Sequence, residues 1–186
     1  MASLYLYGGD YYGLKMAYDW AIKTCNEPNV GYSQAWRNAQ VVNGVTYYDC
    51  SSFINYALLA GGYKTPGYAP NSNAFTTFTM GDVLLALGAR RLSPNEAWKA
   101  GDILVANNET AEHTEMVYSG GAKGQGGVTM GAHTDDASLP NQVSINNYIS
   151  TPTSPIRWDD LYRLEGSVPS DIPLWLYFKF KWRGFI

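Results

Sequence analysis

Three residues in this 186-residue chain have types that can do covalent chemistry together: Cys50, His113 and His133. Cys50 stands between Asp49 and Ser51-Ser52 at the head of a segment with helical patterning. A cysteine there lies at the positive end of the helix macrodipole, among N–H groups with no partner inside the helix. Both features favour thiolate over thiol. The same N–H groups stabilise the oxyanion that forms when a thiolate attacks a carbonyl. Such a nucleophile needs a base, and the base needs a third group to hold its tautomer. His113 opens a predicted strand in Ala-Glu-His-Thr-Glu-Met-Val-Tyr118, and His133 ends the next one in Met-Gly-Ala-His-Thr134. A hairpin joined through the Gly-rich stretch 119–127 sets the two imidazoles side by side. The competing reading is a buried structural cysteine and two histidines that flank a hairpin by chance.

Other chemistries fit less well. A Cys25–Cys50 disulfide would consume the nucleophile, and Cys25 falls on the apolar side of the first helix. A zinc site would need His113, His133 and Glu112, Glu115 or Asp135, but no His-Glu-x-x-His spacing is present, so neither metal nor cofactor is expected. Glu109, Glu112 and Glu115 do not single out one acid for glycoside hydrolysis. The stretch 120–127 lacks the Gly-Lys-Ser/Thr of a phosphate loop. Net charge is −3, with no basic excess for a phosphate backbone, so nucleic acid is not an expected partner. Fifteen Tyr and six Trp in a chain only 16% charged suit a neutral, hydroxyl- and amide-rich ligand such as a glycan or peptide.

These residues must be positioned by elements. Leu14, Ala17, Ala21 and Ile22 recur at helical spacing over 13–25, and Pro28 lies just beyond the end. Residues 30–48 read as an irregular, solvent-facing approach loop. Asp49 is the expected N-cap of a helix over 49–62 that Gly61-Gly62 stops. Another helix is predicted over 76–87, then a strand over 102–106. Strands follow over 114–118, 128–132, 143–148 and 158–164. Helices first and strands second predict an α+β fold, with N-terminal helices packed on a small antiparallel sheet. Residues 1–164 form the expected catalytic domain. Residues 165–186 read as a linker and an aromatic, basic tail. No long apolar run spans a membrane, no secretory leader is legible at the N-terminus, and a monomer is expected.

Four segments in order resemble the NlpC/P60-type cysteine peptidases: Tyr48-Asp49-Cys50-Ser51-Ser52-Phe53, Gly101-Asp102-Ile103-Leu104-Val105, His113-Thr-Glu-Met-Val-Tyr118 and Gly131-Ala-His133. The double serine and the His-Thr-x-Met segment resemble the bacteriophage peptidoglycan amidohydrolase branch (the Amidase_5 group of phage lysins). The resemblance covers about residues 14–164. It implies a papain-like core, with Cys50 as nucleophile, His113 as general base and acid, and His133, or else Asp135 or Asp136, as orienter. It further implies substrate contacts from Asp49, which would bind a free amino group, from Ser51, and from Tyr32 on the oxyanion side. The segment Gly31-Tyr-Ser-Gln-Ala-Trp36 departs from the usual Tyr-x-Trp-Gly-Gly form. The implied activity is a metal-independent thiol hydrolase of bacterial peptidoglycan, with γ-D-glutamyl endopeptidase favoured over N-acetylmuramoyl-L-alanine amidase. A non-catalytic wall-binding or virion module is the alternative. By the same analogy the protein is made in the host cytoplasm and reaches the wall once a phage-made hole opens the membrane.

Overall fold

A computed structural model describes residues 5–66, 75–134, 137–145 and 156–164, with side chains from residue 13 onward. The helices are α1 (Tyr5–Cys25), α2 (Cys50–Ala60) and α3 (Thr77–Ala86). The strands are β1 (Val30–Tyr32), β2 (Gln40–Val42), β3 (Val45–Tyr48), β4 (Arg90–Leu92), β5 (Ile103–Asn108), β6 (Ala111–Gly120), β7 (Gly127–Ala132), β8 (Val143–Ile145) and β9 (Asp160–Arg163). The architecture is α+β: an antiparallel six-stranded sheet in the order β4-β9-β5-β6-β7-β8, and a three-stranded sheet in the order β1-β3-β2. Among the described residues no helix is long and apolar enough to cross a membrane.

Apolar spacing decides which face of each helix is buried. Leu14, Ala17, Ala21 and Cys25 of α1 are buried, and they share one core cluster with Phe53, Ile54, Ala57 and Leu58 of α2. Small residues let the two helices touch backbone to backbone: a Cβ on Gly61 would lie 2.4 Å from the Gly13 carbonyl oxygen. Side-chain alternation along β5 then divides the sheet. Ile103 and Val105 join the helix-facing cluster, and Leu104 and Ala106 join a second cluster with Trp98, Val117, Trp158 and Leu161. The Gly101-Asp102 segment anchors the end of β5. Asp102 accepts Nε and Nη2 of Arg163 (2.8 and 2.7 Å) and the backbone N–H of Lys99.

The approach loop expected over 30–48 is instead the small sheet. Its β2–β3 hairpin turns at Asn43 and Gly44, both with positive φ (52° and 79°), the conformation that primed two-residue turns require. β1 lies parallel to β3, which places Tyr32 opposite Tyr48, one residue before Asp49. The strand β4 was not expected either; it is short and exists by pairing with β9, some seventy residues on.

Candidate active site

The nucleophile candidate sits where a strand hands over to a helix. β3 ends at Tyr48, Asp49 is the extended N-cap, and Cys50 is the first residue of α2. Asp49 Oδ1 accepts the Ser52 N–H at 2.7 Å, and Ser52 Oγ accepts the Asp49 N–H at 2.9 Å, a reciprocal capping box. Ser51 Oγ also donates to Asp49 Oδ1, at 3.2 Å. Arg37, from the loop after β1, forms an ion pair with Asp49 Oδ2 at 2.9 Å. Asn38 donates its N–H to Ser52 Oγ at 3.4 Å. The loop after β1 is thus tied to the helix start. Cys50 itself is 5% exposed.

β6 carries His113 and Glu115 two residues apart, hence on one side of the strand. The Cys50 side chain lies close enough to His113 to raise its pKa. His113 Nε2 lies 3.0 Å from Glu115 Oε1, which leaves Nδ1 for the thiol. The His113 ring stacks on Trp158 at a centroid distance of 6.1 Å, so an indole covers the base. β7 delivers His133 just past its end. The two imidazoles are 6.2 Å apart between centroids, and Glu115 joins them: His133 Nδ1 lies 3.1 Å from the same Oε1. His133 Nε2 is 2.9 Å from the carbonyl oxygen of Ser144, adjacent on β8.

Electrostatics follow from this chain of contacts. Burial alone would lower the pKa of His113, but hydrogen bonds to Cys50 and Glu115 and their charges override it and raise it to about 10. Burial would raise that of Glu115, yet hydrogen bonds and charge from both histidines hold its carboxyl well below the usual range. Glu115 is 1% exposed, so this carboxylate is stabilised by its two partners and not by water. His113, Glu115 and His133 each offer a ligand atom within 4.8 Å of the others, the one such set among the described residues. The Nε2–Oε1 and Nδ1–Oε1 spacings are those of hydrogen bonds.

The sequence-derived residues thus fall into two groups. Cys50, His113 and His133 converge, with Glu115 between the histidines. Asp49 and Ser51 adjoin the nucleophile but are buried and engaged by the cap and Arg37. Tyr32 donates its N–H to Gln142 Oε1 (2.9 Å), and its hydroxyl accepts Gln34 Nε2 (2.7 Å). Asp135 and Asp136 lie outside the described residues. Glu115, Arg37 and Trp158 were not singled out for these positions. For Glu115 a signal existed: a carboxylate two residues from a histidine on a strand whose next residues, Met116 and Val117, are apolar.

Cys25 and Cys50 are both free thiols. No curated protein and no solved structure matches the chain. A family model described as an endolysin-like domain matches residues 11–124, a stretch that runs from α1 through β6 and contains Cys50, His113 and Glu115. The match spans more than half of the chain, and the protein belongs to the endolysin-like domain family, a domain of the phage endolysin type.

Proposed function

We propose that this protein is a cell-wall lytic thiol hydrolase that cleaves an amide bond of bacterial peptidoglycan. The observation that carries the reading is Cys50 at the head of α2, within electrostatic reach of a His113 whose Nε2 rests on a buried carboxylate. His113 takes the thiol proton, and the Cys50 thiolate attacks the amide carbonyl. Backbone N–H groups at the start of α2 hold the oxyanion. His113 then protonates the leaving amine, an acyl-enzyme remains, and water activated by His113 releases the acid. The family assignment supports the wall as substrate.

Within that chemistry, one observation favours the muramoyl-L-alanine amidase over the γ-D-glutamyl endopeptidase. Preference for the endopeptidase rests on Asp49 as an anchor for a free amino group. The Asp49 carboxylate is buried, accepts Ser52 N–H and Ser51 Oγ, and faces Arg37. With Oδ1 engaged twice by the cap and Oδ2 paired with a guanidinium, a buried carboxylate has less to offer an amine.

Turbidity loss of purified Gram-positive walls with wild type and Cys50→Ala, followed by mass spectrometry of the fragments, tests both points. Wild type is expected to clear the walls and release a free lactyl terminus on muramic acid, with clearing by the variant lower by at least about a thousandfold. Equal clearing by Cys50→Ala would overturn the thiol mechanism, and a new N-terminus inside the stem peptide would restore the endopeptidase.

A further inference from the structure

We propose that Glu115 is the positioning residue of this site, holding a proton on His113 Nε2 so that Nδ1 serves Cys50, and that His133 acts behind it, donating Nδ1–H to the Glu115 carboxylate and Nε2–H to the Ser144 carbonyl oxygen. The inference rests on the hydrolase reading above and deepens it. It assigns the role of third group to a residue between the histidines, and moves His133 one position outward.

The argument is one of donors and acceptors. The Ser144 carbonyl oxygen can only accept, so His133 Nε2, 2.9 Å away, must carry a proton. Its Nδ1 faces an ionised carboxylate oxygen at 3.1 Å, which also only accepts, so that nitrogen donates as well. Oε1 of Glu115 then has two donors aimed at it, His133 Nδ1 and His113 Nε2. With a proton fixed on Nε2, His113 presents Nδ1 to the thiol. The Cys25 thiol of α1 also lies within electrostatic reach of Glu115, and from α2 Cys50 acts on His113; both are thiols and neither is a cation.

The full chain carrying Glu115→Gln or His133→Gln tests this, with folding checked by circular dichroism. Glu115→Gln is expected to lower kcat on purified walls by about 10²–10⁴-fold at nearly constant apparent KM, the scale seen when a triad carboxylate becomes an amide. His133→Gln, which acts through Glu115, is expected to cost about 10–100-fold. Alkylation of Cys50 by iodoacetamide across pH gives a readout that a merely structural role would not move. The alkaline limb set by His113 is expected at lower pH in Glu115→Gln. Nitrogen NMR of the imidazoles in Cys50→Ala is independent of activity: His133 should show a proton on Nδ1 as well as on Nε2, and His113 a proton on Nε2 held by Glu115. An unprotonated His133 Nδ1 would overturn the proposal. So would wild-type kinetics in Glu115→Gln beside a severe loss in His133→Gln. If Glu115→Gln does not fold, the NMR result decides. Wall clearing by Cys50→Ala would sink the hydrolase reading and leave the protonation result standing on its own.

Discussion

At the scale of single residues, the pair His113–Glu115 ties stability to pH from both sides. His113 has a folded-state pKa near 10, above the ordinary imidazole value of about 6.5. Its contribution is therefore complete below about pH 6.5 and is lost as pH rises toward 10. Glu115 is depressed below the ordinary value of about 4.3, so its contribution is present above that pH and is lost on acidification. Thermal melts should show a maximum between these limits. In Glu115→Gln the acid slope attributable to this carboxyl should vanish and the slope between about pH 6.5 and 10 should shrink. Parallel wild-type and variant curves would contradict the coupling. The Cys25 thiol and the Tyr18 and Tyr48 phenols, pushed up to about 12 by burial, add an alkaline loss of their own that this comparison cancels. The types and order of Cys50, His113 and His133 were legible in the sequence. The interposition of Glu115 was not, because the resemblance supplied a histidine for the third role and because a carboxylate on a strand reads as solvated until its neighbours are known.

At the scale of elements, the start of α2 is built twice over: by the capping box and by the Arg37–Asp49 ion pair. Asp49→Asn keeps a side-chain acceptor for Ser52 N–H and removes only the charge, whereas Asp49→Ala removes both. Urea denaturation should rank the alanine variant as the less stable by about 1 kcal/mol, the ordinary value of an N-cap. Asp49→Asn should leave apparent KM within a few-fold of wild type, whereas a true amine anchor would raise it sharply. The helices were readable in advance because their signals are local: apolar spacing along α1, Asp49 and Gly61 around α2, Thr76 and Gly88 around α3. The small sheet was misjudged because its strands are three or four residues long and rich in Tyr, although Asn43-Gly44 is a hairpin signal in itself. β4 and the order of the large sheet depend on partners far along the chain, which no window of sequence contains.

At the scale of the whole molecule, nucleophile and base come from different halves: Cys50 from the helical part and His113 and Glu115 from the sheet. The site exists only where α2 is docked on β6 and β7. The same docking encloses a second thiol, Cys25 at the C-terminal end of α1, 7% exposed and within the electrostatic reach of Glu115. A thiol so placed is unreactive while α1 is seated. In Cys50→Ala, iodoacetamide should therefore leave the native protein unlabelled over minutes and modify it fully in urea, as intact mass spectrometry would show. Immediate labelling of the native variant would contradict the packing of α1. Slow labelling, once calibrated, turns Cys25 into a reporter placed beneath the reaction centre. An opening that lets reagent reach it also exposes the ground on which Glu115 rests, so the rate of its modification in the folded protein counts how often this part of the core comes apart.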